Sequence, residues 1–265
     1  MLFLTANPAQ RFGLIILLTV ALNLLSCRTS APEIAVRSDN LPRKVLWAWE
    51  RPEDLRFLNT NEFGAAFLAQ TLILQGDDVV VRPRRQPLEV SPDAKLIAVT
   101  RIESHSTATN ELTLSDRQKS QIIALVLKTL TLKNVLAIQI DYDVRVSERE
   151  FYRELLIELR ERLPADVALS ITALASFCIG DRWFGDLPID EAIPMIFRMG
   201  LDDAKVKGFL TGGNDFPEPL CRKSYGVATD EPITAKLDPA RRLYVFNVRS
   251  WTERDVNSIS RDILR

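Results

Sequence analysis

The sequence has little of what several kinds of chemistry require. It contains three cysteines and one histidine, and its 34 Lys+Arg are balanced by 35 Asp+Glu. Without a basic excess to displace counterions, binding to nucleic acid through bulk charge is excluded. A 265-residue chain that is 46% hydrophobic is not a disordered protein or a collagen-like fibre. So few cysteines also exclude a disulfide-dense miniprotein.

Common catalytic and nucleotide-binding patterns are missing as well. A Ser-His-Asp or Cys-His mechanism would have to use His105, and the chain has no Gly-x-Ser-x-Gly sequence. No glycine-rich phosphate loop follows a predicted strand. Glu103 and His105 on one strand, with Asp141 and Asp143 on the next, could approach a metal, but one imidazole is a poor basis for zinc. We expect His105 in an exposed loop, no metal and no cofactor.

The first 27 residues differ from the rest. Residues 12–25 form an uncharged apolar run after Arg11, which is shorter than the about 20 residues of a membrane span and typical of a signal-peptide core. Residues 24–27 resemble the bacterial lipobox, in which the cysteine is lipidated. An ordinary cleaved signal or a marginal membrane anchor is the alternative. We expect a signal peptide at residues 1–26, a lipidated Cys27 and a polar tether through residue 43. The protein would then be anchored in the bacterial cell envelope, facing the periplasm or the exterior.

Strand-like and helix-like segments alternate from residue 44 to the C-terminus. Strands are predicted at residues 45–50, within 63–74, and at 96–102, 135–141, 168–174, 193–197, 224–228 and 243–248. Residues 71–82 predict a hairpin that turns at residues 75–78. Helices are predicted to begin at Ser115, Ser147 and Thr252, each followed three residues later by a side chain that can complete a capping box. This order favours a single-domain α/β fold, a (β/α)8 TIM-type barrel over residues 44–265, rather than a doubly wound sheet.

The two cysteines within the predicted barrel show no metal-ligand spacing. In an exported protein, Cys178 and Cys221 are more often bridged than catalytic. A disulfide across the long loop between them would stabilise the fold by about 4 kcal/mol on the chain-entropy argument. The sequence therefore favours a bridge.

The most informative segment ends the fourth predicted strand. Strand alternation places Gln139, Asp141 and Asp143 on one face, pointing into the barrel or its mouth. In such barrels the active site lies at the carboxyl ends of the strands. Two carboxylates two residues apart raise each other's pKa, so one of them can stay protonated and act as an acid. The alternative is a structural ion pair, with Arg101 on the neighbouring strand as the expected partner.

Further polar and aromatic side chains lie near the predicted strand ends. Aromatic rings there could stack on the flat apolar faces of a sugar. For Trp47 and Trp49, core packing is the favoured interpretation of each, although Trp49 stays a binding candidate. The preferred stacking residue is Trp251, just past the last strand. The remaining candidates are Glu50, Arg101, Glu103, Glu231 and Arg249.

Residues 139–143 resemble the chitinase-like, family-18 glycoside hydrolases. Their fourth strand ends in an Asp-x-Asp-x-Glu pattern, whose glutamate protonates the glycosidic oxygen and whose middle aspartate orients the N-acetyl group of the substrate. The register aligns Gln139, Asp141 and Asp143 with these positions, and Asp141 matches in residue type. Gln139 and Asp143 depart from the pattern. Asp143 is one methylene shorter than the glutamate, and a misplacement of about 1 Å can cost about 100-fold in rate.

Over nearly the whole mature chain, the sequence is similar to an uncharacterised bacterial family called domain of unknown function 3142. The similarity is carried by residues 46–54 (LWAWERPED), 139–143 (QIDYD), 147–152 (SEREFY), 169–178 (LSITALASFC) and 190–200 (DEAIPMIFRMG). This family supports the fold class but implies no established activity.

The sequence thus predicts an exported, lipid-anchored barrel with a glycosidase-like pocket for an N-acetylated or related polysaccharide. In this hypothesis Asp143 is the general acid, and Asp141 orients the substrate or stabilises the oxocarbenium-like transition state. A second carboxylate would come from Glu103, Glu50 or Glu231. The alternative is a non-catalytic barrel that binds a glycan or a partner at the envelope, and the two departures from the family-18 pattern favour it.

Overall fold

The computed structural model describes residues 37–106, 111–181, 183–231 and 233–262. The predicted signal peptide, Cys27 and most of the predicted tether lie outside these residues. None of the helices within the described ranges is both long and apolar enough to cross a membrane.

Eight parallel strands close into a barrel. The strands of the chain are β1 (Lys44–Ala48), β2 (Glu53–Asp54), β3 (Phe63–Gln75), β4 (Asp78–Pro83), β5 (Leu88–Glu89), β6 (Leu96–His105), β7 (Val135–Tyr142), β8 (Ala168–Leu174), β9 (Glu191–Met195), β10 (Ser224–Ala228) and β11 (Arg242–Phe246). The sheet runs β1-β11-β10-β9-β8-β7-β6-β3, and β1 also pairs with β3, which closes it. The predicted single-domain (β/α)8 TIM-type barrel is confirmed.

Within the described residues, five α-helices cover the outside of the barrel. They are α1 (Asp116–Lys128), α2 (Arg149–Arg162), α3 (Ala175–Ile179), α4 (Asp203–Thr211) and α5 (Glu253–Asp262), and they follow β6, β7, β8, β9 and β11. In the described residues, no α-helix follows β1, β3 or β10. Instead, β1 is followed by the short β2, which pairs with β5, and β3 is followed by a hairpin.

The predicted hairpin is confirmed. Strand β4 runs antiparallel to β3, from Gln75 opposite Asp78 to Gln70 opposite Pro83. Gly76 occupies the turn with a φ of +57°, a conformation that costs a glycine little. Strand β3 also pairs with β6 as far as Gln75 opposite His105, so these three strands continue well past the last residue of β3 that pairs with β1.

Two of the three predicted helix starts are confirmed. Before α1, the Gln118 amide donates to Ser115 Oγ at 3.2 Å, and the Ser115 amide donates to Gln118 Oε1 at 3.1 Å. Before α5, the Asp255 amide donates to Thr252 Oγ1 at 3.3 Å, and the Thr252 amide donates to Asp255 Oδ2 at 3.0 Å. Each exchange gives partners to backbone amides that the first helical turn leaves free.

The predicted start at Ser147 is wrong. Helix α2 begins at Arg149, after a 3-10 turn over Val146–Glu148. The carboxylate of Glu148 accepts hydrogen bonds from the Arg145 amide at 2.9 Å and from the Ser104 hydroxyl at 2.7 Å. The side chain that caps this helix start is therefore Glu148, which binds the amide of Arg145, two residues before Ser147. Ser104 of β6 is the second partner of Glu148.

The barrel strands bury both of their faces. On β1, Val45 and Trp47 belong to a small cluster inside the barrel, whereas Leu46 and Ala48 belong to the larger cluster beneath the helices. The interior is so full that a Cβ on Gly226 would lie 3.1 Å from Cη2 of Trp47 and 3.2 Å from Cγ2 of Ile193. Glycine at this position therefore makes room for the indole ring.

The packed region begins earlier than the sequence predicted. Arg37–Asn40 form a 3-10 turn in which Ser38 is buried, and Leu41 is buried too. The Arg37 guanidinium pairs with Asp190 at 3.3 Å. Residues 37–43 are therefore part of the domain rather than of the tether, because they cover the amino-terminal end of the barrel.

A disulfide joins Cys178, in α3, to Cys221, just before β10, with a Cα–Cα distance of 6.0 Å. Both cysteines are completely buried. The bridge connects the segment after β8 to the segment before β10. These two strands lie on either side of β9 in the barrel.

Removal of this bridge should lower the stability of the barrel. The bridge spans 43 residues. Closing a loop of that size lowers the entropy of the unfolded chain and raises its free energy by about 4 kcal/mol. We expect the double variant Cys178→Ser/Cys221→Ser to lose roughly this free energy of unfolding in guanidinium titrations. Reductant should lower the stability of the parent protein and leave the variant unchanged. Equal stability of parent and variant would contradict the prediction.

Candidate functional site

An open pocket of about 210 Å³ lies at the carboxyl ends of the barrel strands. One side is polar and is formed by Arg101, Gln139, Asp141, Asp143 and Thr172. The opposite side is apolar and is formed by Trp49, Met195, Phe197 and Phe246, with Arg198 at its edge. The pocket therefore combines carboxylates with an aromatic wall at the place where barrel enzymes hold their substrates.

Alternation along β7 and the residue that follows it brings three polar side chains together, as the sequence predicted. Gln139, Asp141 and Asp143 all line the pocket, and Gln139 lies at the bottom, fully buried. Gln139 accepts a hydrogen bond from Trp47 Nε1 at 2.8 Å and donates one to Ser170 Oγ at 3.3 Å. Both ends of its amide are engaged, so Gln139 forms part of the pocket floor.

Asp141 is a buried carboxylate held from two sides. Thr172 Oγ1 donates to Asp141 Oδ1 at 2.7 Å, and Arg101 Nη1 lies 3.3 Å from Asp141 Oδ2. Burial raises the pKa of Asp141 above 3.8, and these two partners oppose that rise. The ion pair that the sequence offered as an alternative is therefore present, and Asp141 is its member.

Asp143 differs from Asp141 in its exposure and in its hydrogen bonding. Its side chain is exposed to solvent and lines the open pocket. Among the residues that the structure describes, none forms a hydrogen bond or an ion pair with it. Asp143 is thus free to contact a ligand, as a general acid must be.

The aromatic wall includes residues that the sequence analysis missed. Phe197 and Phe246 stack with a centroid distance of 5.6 Å and an interplanar angle of 9°. The Trp49 ring meets Phe246 edge-on at 6.4 Å. Strand alternation could have found both phenylalanines, since Phe197 lies two residues after Met195, and Phe246 lies two after the barrel-filling Tyr244. The candidates predicted from the sequence were tryptophans and charged residues instead.

Arg198 is a third residue of the pocket that the sequence did not point to. Its guanidinium lies over the Phe246 ring at 5.1 Å, and its backbone has a φ of +50°, which is uncommon for a residue with a side chain. The carboxylate of Glu231 accepts a hydrogen bond from the Arg198 amide at 3.0 Å, and Asp230 accepts one from its guanidinium at 2.8 Å. Glu231 therefore supports the Arg198 loop and is not a free second carboxylate.

The pocket lining does not include Trp251 or Arg249, two of the predicted binding residues. Trp251 is buried, where its Nε1 donates to the Trp47 carbonyl at 3.0 Å and its amide donates to Glu53 Oε2 at 2.8 Å. Trp251 is therefore a core residue and not a stacking platform, because the chain turns under the barrel wall before α5. Arg249 is held by both carboxylate oxygens of Asp255, at 2.6 and 2.7 Å.

The other predicted carboxylates lie beside the pocket and are bound. Glu50 accepts hydrogen bonds from the amides of Arg85 and Gln86, at 3.0 and 3.2 Å. Glu103 accepts one from Arg101 Nε at 2.9 Å, and its other oxygen lies 3.8 Å from His105. His105 is exposed as expected, although it ends β6 instead of lying in a loop. The described residues include no group of three or more His, Cys, Asp or Glu arranged to hold a metal.

Comparison of the chain with family models, with curated proteins and with solved structures found no match. The similarity to domain of unknown function 3142 and the resemblance to family-18 glycoside hydrolases therefore stay predictions from the sequence. The barrel is shown by its strand pairing, and the candidate site is defined by its geometry alone.

Because the pKa of Asp141 is raised, the effect of replacing it on the free energy of unfolding should depend on pH. Just above the ordinary value of 3.8, the folded protein keeps a proton that the unfolded chain releases, so the aspartate costs stability as the pH rises. We expect Asp141→Asn to gain stability relative to the parent between about pH 4 and about pH 7. Guanidinium titrations at both pH values would measure this difference.

Asp186 provides a control with the opposite sign. Hydrogen bonding from Arg153 lowers the pKa of this exposed residue from 3.8 to about 2, so Asp186→Asn should lose stability relative to the parent as the pH rises from about 2 to about 4, with little further change up to about pH 7. If Asp141→Asn behaved like Asp186→Asn, the account of Asp141 as a carboxylate destabilised by burial would be wrong.

Trp49 and Trp251 should respond differently to truncation. Because Trp251 is buried in the core, Trp251→Ala should lower the free energy of unfolding by about 3–5 kcal/mol. Trp49 is half-buried at the pocket, so Trp49→Ala should cost less than half of that. Denaturant titration of both variants would test the pair, and equal losses of stability would contradict the assignment.

Proposed function

We propose that the protein hydrolyses glycosidic bonds in an N-acetylated or related polysaccharide, with Asp143 as the general acid. The observation that carries the proposal is the placement of a free, exposed carboxylate opposite an aromatic wall in one open pocket. Aromatic rings suit the apolar faces of sugars, and carboxyl groups supply the acid chemistry of glycoside hydrolysis.

The two aspartates would divide the chemistry between them. Asp143 would donate its proton to the glycosidic oxygen while the bond from that oxygen to the anomeric carbon breaks. Asp141, held by Thr172 and Arg101, would orient the substrate and stabilise the positive charge that develops on the sugar ring. When water completes the reaction, it adds its oxygen to the anomeric carbon and returns a proton to Asp143.

We also propose that the protein is exported and anchored at the cell envelope through a lipid on Cys27. The apolar run and the lipobox-like residues 24–27 support this proposal. The buried disulfide between Cys178 and Cys221 supports export independently, because structural disulfides persist in oxidising compartments and are rare in the cytosol.

A non-catalytic glycan-binding barrel is the second candidate. It is favoured by the state of the other carboxylates around the mouth: Glu103 is paired with Arg101, and Glu231 is paired with Arg198. Some hydrolases need two free carboxylates. This pocket has one free carboxylate, Asp143, because Asp141 is bound by Thr172 and Arg101. In this function the aromatic wall would bind the glycan, and no bond would break.

The decisive experiment compares the full-length protein, purified in detergent, with its Asp143→Asn variant. Both would be incubated with a panel of N-acetylated and plain oligosaccharides, with products identified by mass spectrometry. We expect the parent to cleave at least one oligosaccharide and the variant to be slower by about 100-fold or more. The matched control is Asp166→Asn, which removes an exposed carboxylate just before β8, at the opposite end of the barrel, and should cleave like the parent.

Each other result has a distinct meaning. If parent and variant cleaved equally fast, Asp143 would not be the acid. If both bound an oligosaccharide and neither cleaved it, the binding barrel would be the better account. If neither bound any member of the panel, the carbohydrate proposal would fail.

A further inference from the structure

A second cavity opens beside the central pocket, between the end of β1 and the β3–β4 hairpin. Its volume is about 630 Å³, three times that of the central pocket. The two cavities share Trp49 and Arg101 in their walls. A chain molecule held in the central pocket can therefore continue across Trp49 into this second cavity, which we call the hairpin groove.

The carboxylates of the hairpin groove have hydrogen-bond partners, whereas two of its guanidinium groups have none among the described residues. Its two carboxylates are bound, Glu50 to backbone amides and Glu103 to Arg101. Its other two guanidinium groups, those of Arg82 and Arg85, are exposed. Within the described part of the chain, no side chain or carbonyl forms a hydrogen bond or an ion pair with either of them. The groove thus offers two cationic groups whose partners must come from solvent or from a ligand.

The segment that carries these arginines is held in place by the arginine between them. Arg84 is half-buried and donates hydrogen bonds to the carbonyls of Trp49 and Arg51, both at 2.6 Å. The Glu50 carboxylate binds the same segment through the Arg85 amide. The backbone of Arg82 is held by the sheet, because Arg82 lies in β4 opposite Thr71 of β3. The backbone below the two free guanidinium groups is therefore held by hydrogen bonds, which lowers the entropic cost of binding a ligand there.

We infer that the hairpin groove binds an acidic sugar unit, so that the substrate class of the protein is an anionic polysaccharide bearing carboxylates or sulfates. A guanidinium group can donate two parallel hydrogen bonds to two oxygens of a carboxylate or a sulfate. Trp49, whose ring also lies 5.6 Å from the Arg101 guanidinium, lines both cavities and can contact the neighbouring sugar ring. This inference rests on the proposed carbohydrate function of the central pocket, and it adds the chemical class of the polymer.

The test uses the full-length protein, with matched acidic and neutral oligosaccharides as probes. Binding is measured by calorimetry for tetragalacturonate and its methyl ester, and for a sulfated carrageenan tetrasaccharide and its desulfated form. We expect at least one acidic form to bind about tenfold tighter than its neutral match, which corresponds to about 1.4 kcal/mol. Which pair shows the difference tells carboxylate from sulfate. Inorganic sulfate at equal concentration should not compete, because it lacks the sugar ring.

The variant Arg82→Gln/Arg85→Gln should lose the preference for the acidic form and keep the affinity for the neutral one. Lys128→Gln/Lys133→Gln is the control matched in charge, since both lysines are exposed near the amino-terminal end of β7, and it should keep the preference. Single variants Arg82→Gln and Arg85→Gln would show the same loss in part. Thermal unfolding would verify that all variants are folded.

The outcomes separate this inference from the proposed function. Equal binding of acidic and neutral forms, or a preference that survives in Arg82→Gln/Arg85→Gln, would overturn the inference. If neutral N-acetylated oligosaccharides were cleaved in that case, the proposed function would still stand. An arginine-dependent preference without any cleavage would support the inference and leave a glycan-binding barrel. Failure of every probe to bind would overturn both.

Discussion

The candidate site depends on how Trp47 fills the barrel. Its ring lies against Tyr244 at 5.5 Å and against Phe197 at 6.1 Å, and a Cβ on Gly226 would crowd it at 3.1 Å. Its Nε1 holds Gln139, the floor of the pocket. A smaller residue at this position would open a channel into the barrel, whereas the indole ends the cavity just below the two aspartates. The depth of the pocket is therefore set by packing in the interior.

Above that floor, hydrogen bonding decides which carboxylates remain available. Asp141 is bound by Thr172 and Arg101, and the more distant glutamates are bound by backbone amides or arginines. Asp143 is left as the exposed carboxylate of the pocket. The arginines follow the same principle, because Arg84 is consumed in holding its own segment while its neighbours reach the solvent. The charged groups available to a ligand at the mouth of the barrel are therefore those that form no hydrogen bond or ion pair with the described part of the protein.

Much of the barrel was predictable from local patterns. Alternation identified all eight barrel strands to within a few residues, and it placed Gln139, Asp141 and Asp143 on one face, because side-chain direction in a strand has a period of two. Trp251 shows where such reasoning ends. Its position just past the last strand indicated the mouth, but the direction of the turn before α5 placed its ring in the core. Ser147 failed for a similar reason, since a contact from β6 to Glu148 moved the start of α2.

Three features could be read from the sequence alone: the fold class, the likeness of the N-terminus to a lipoprotein signal, and the strand segment that carries the two aspartates. These follow from composition and from contacts within one or two turns of chain. The long-range pairings of the tertiary structure set which carboxylate is free, which aromatic rings face the central pocket, and that Arg82 and Arg85 line the hairpin groove. Those properties depend on pairings between residues far apart in the chain, such as Arg101 with Asp141 and Arg198 with Glu231, and no local pattern encodes which of several possible partners lies within reach.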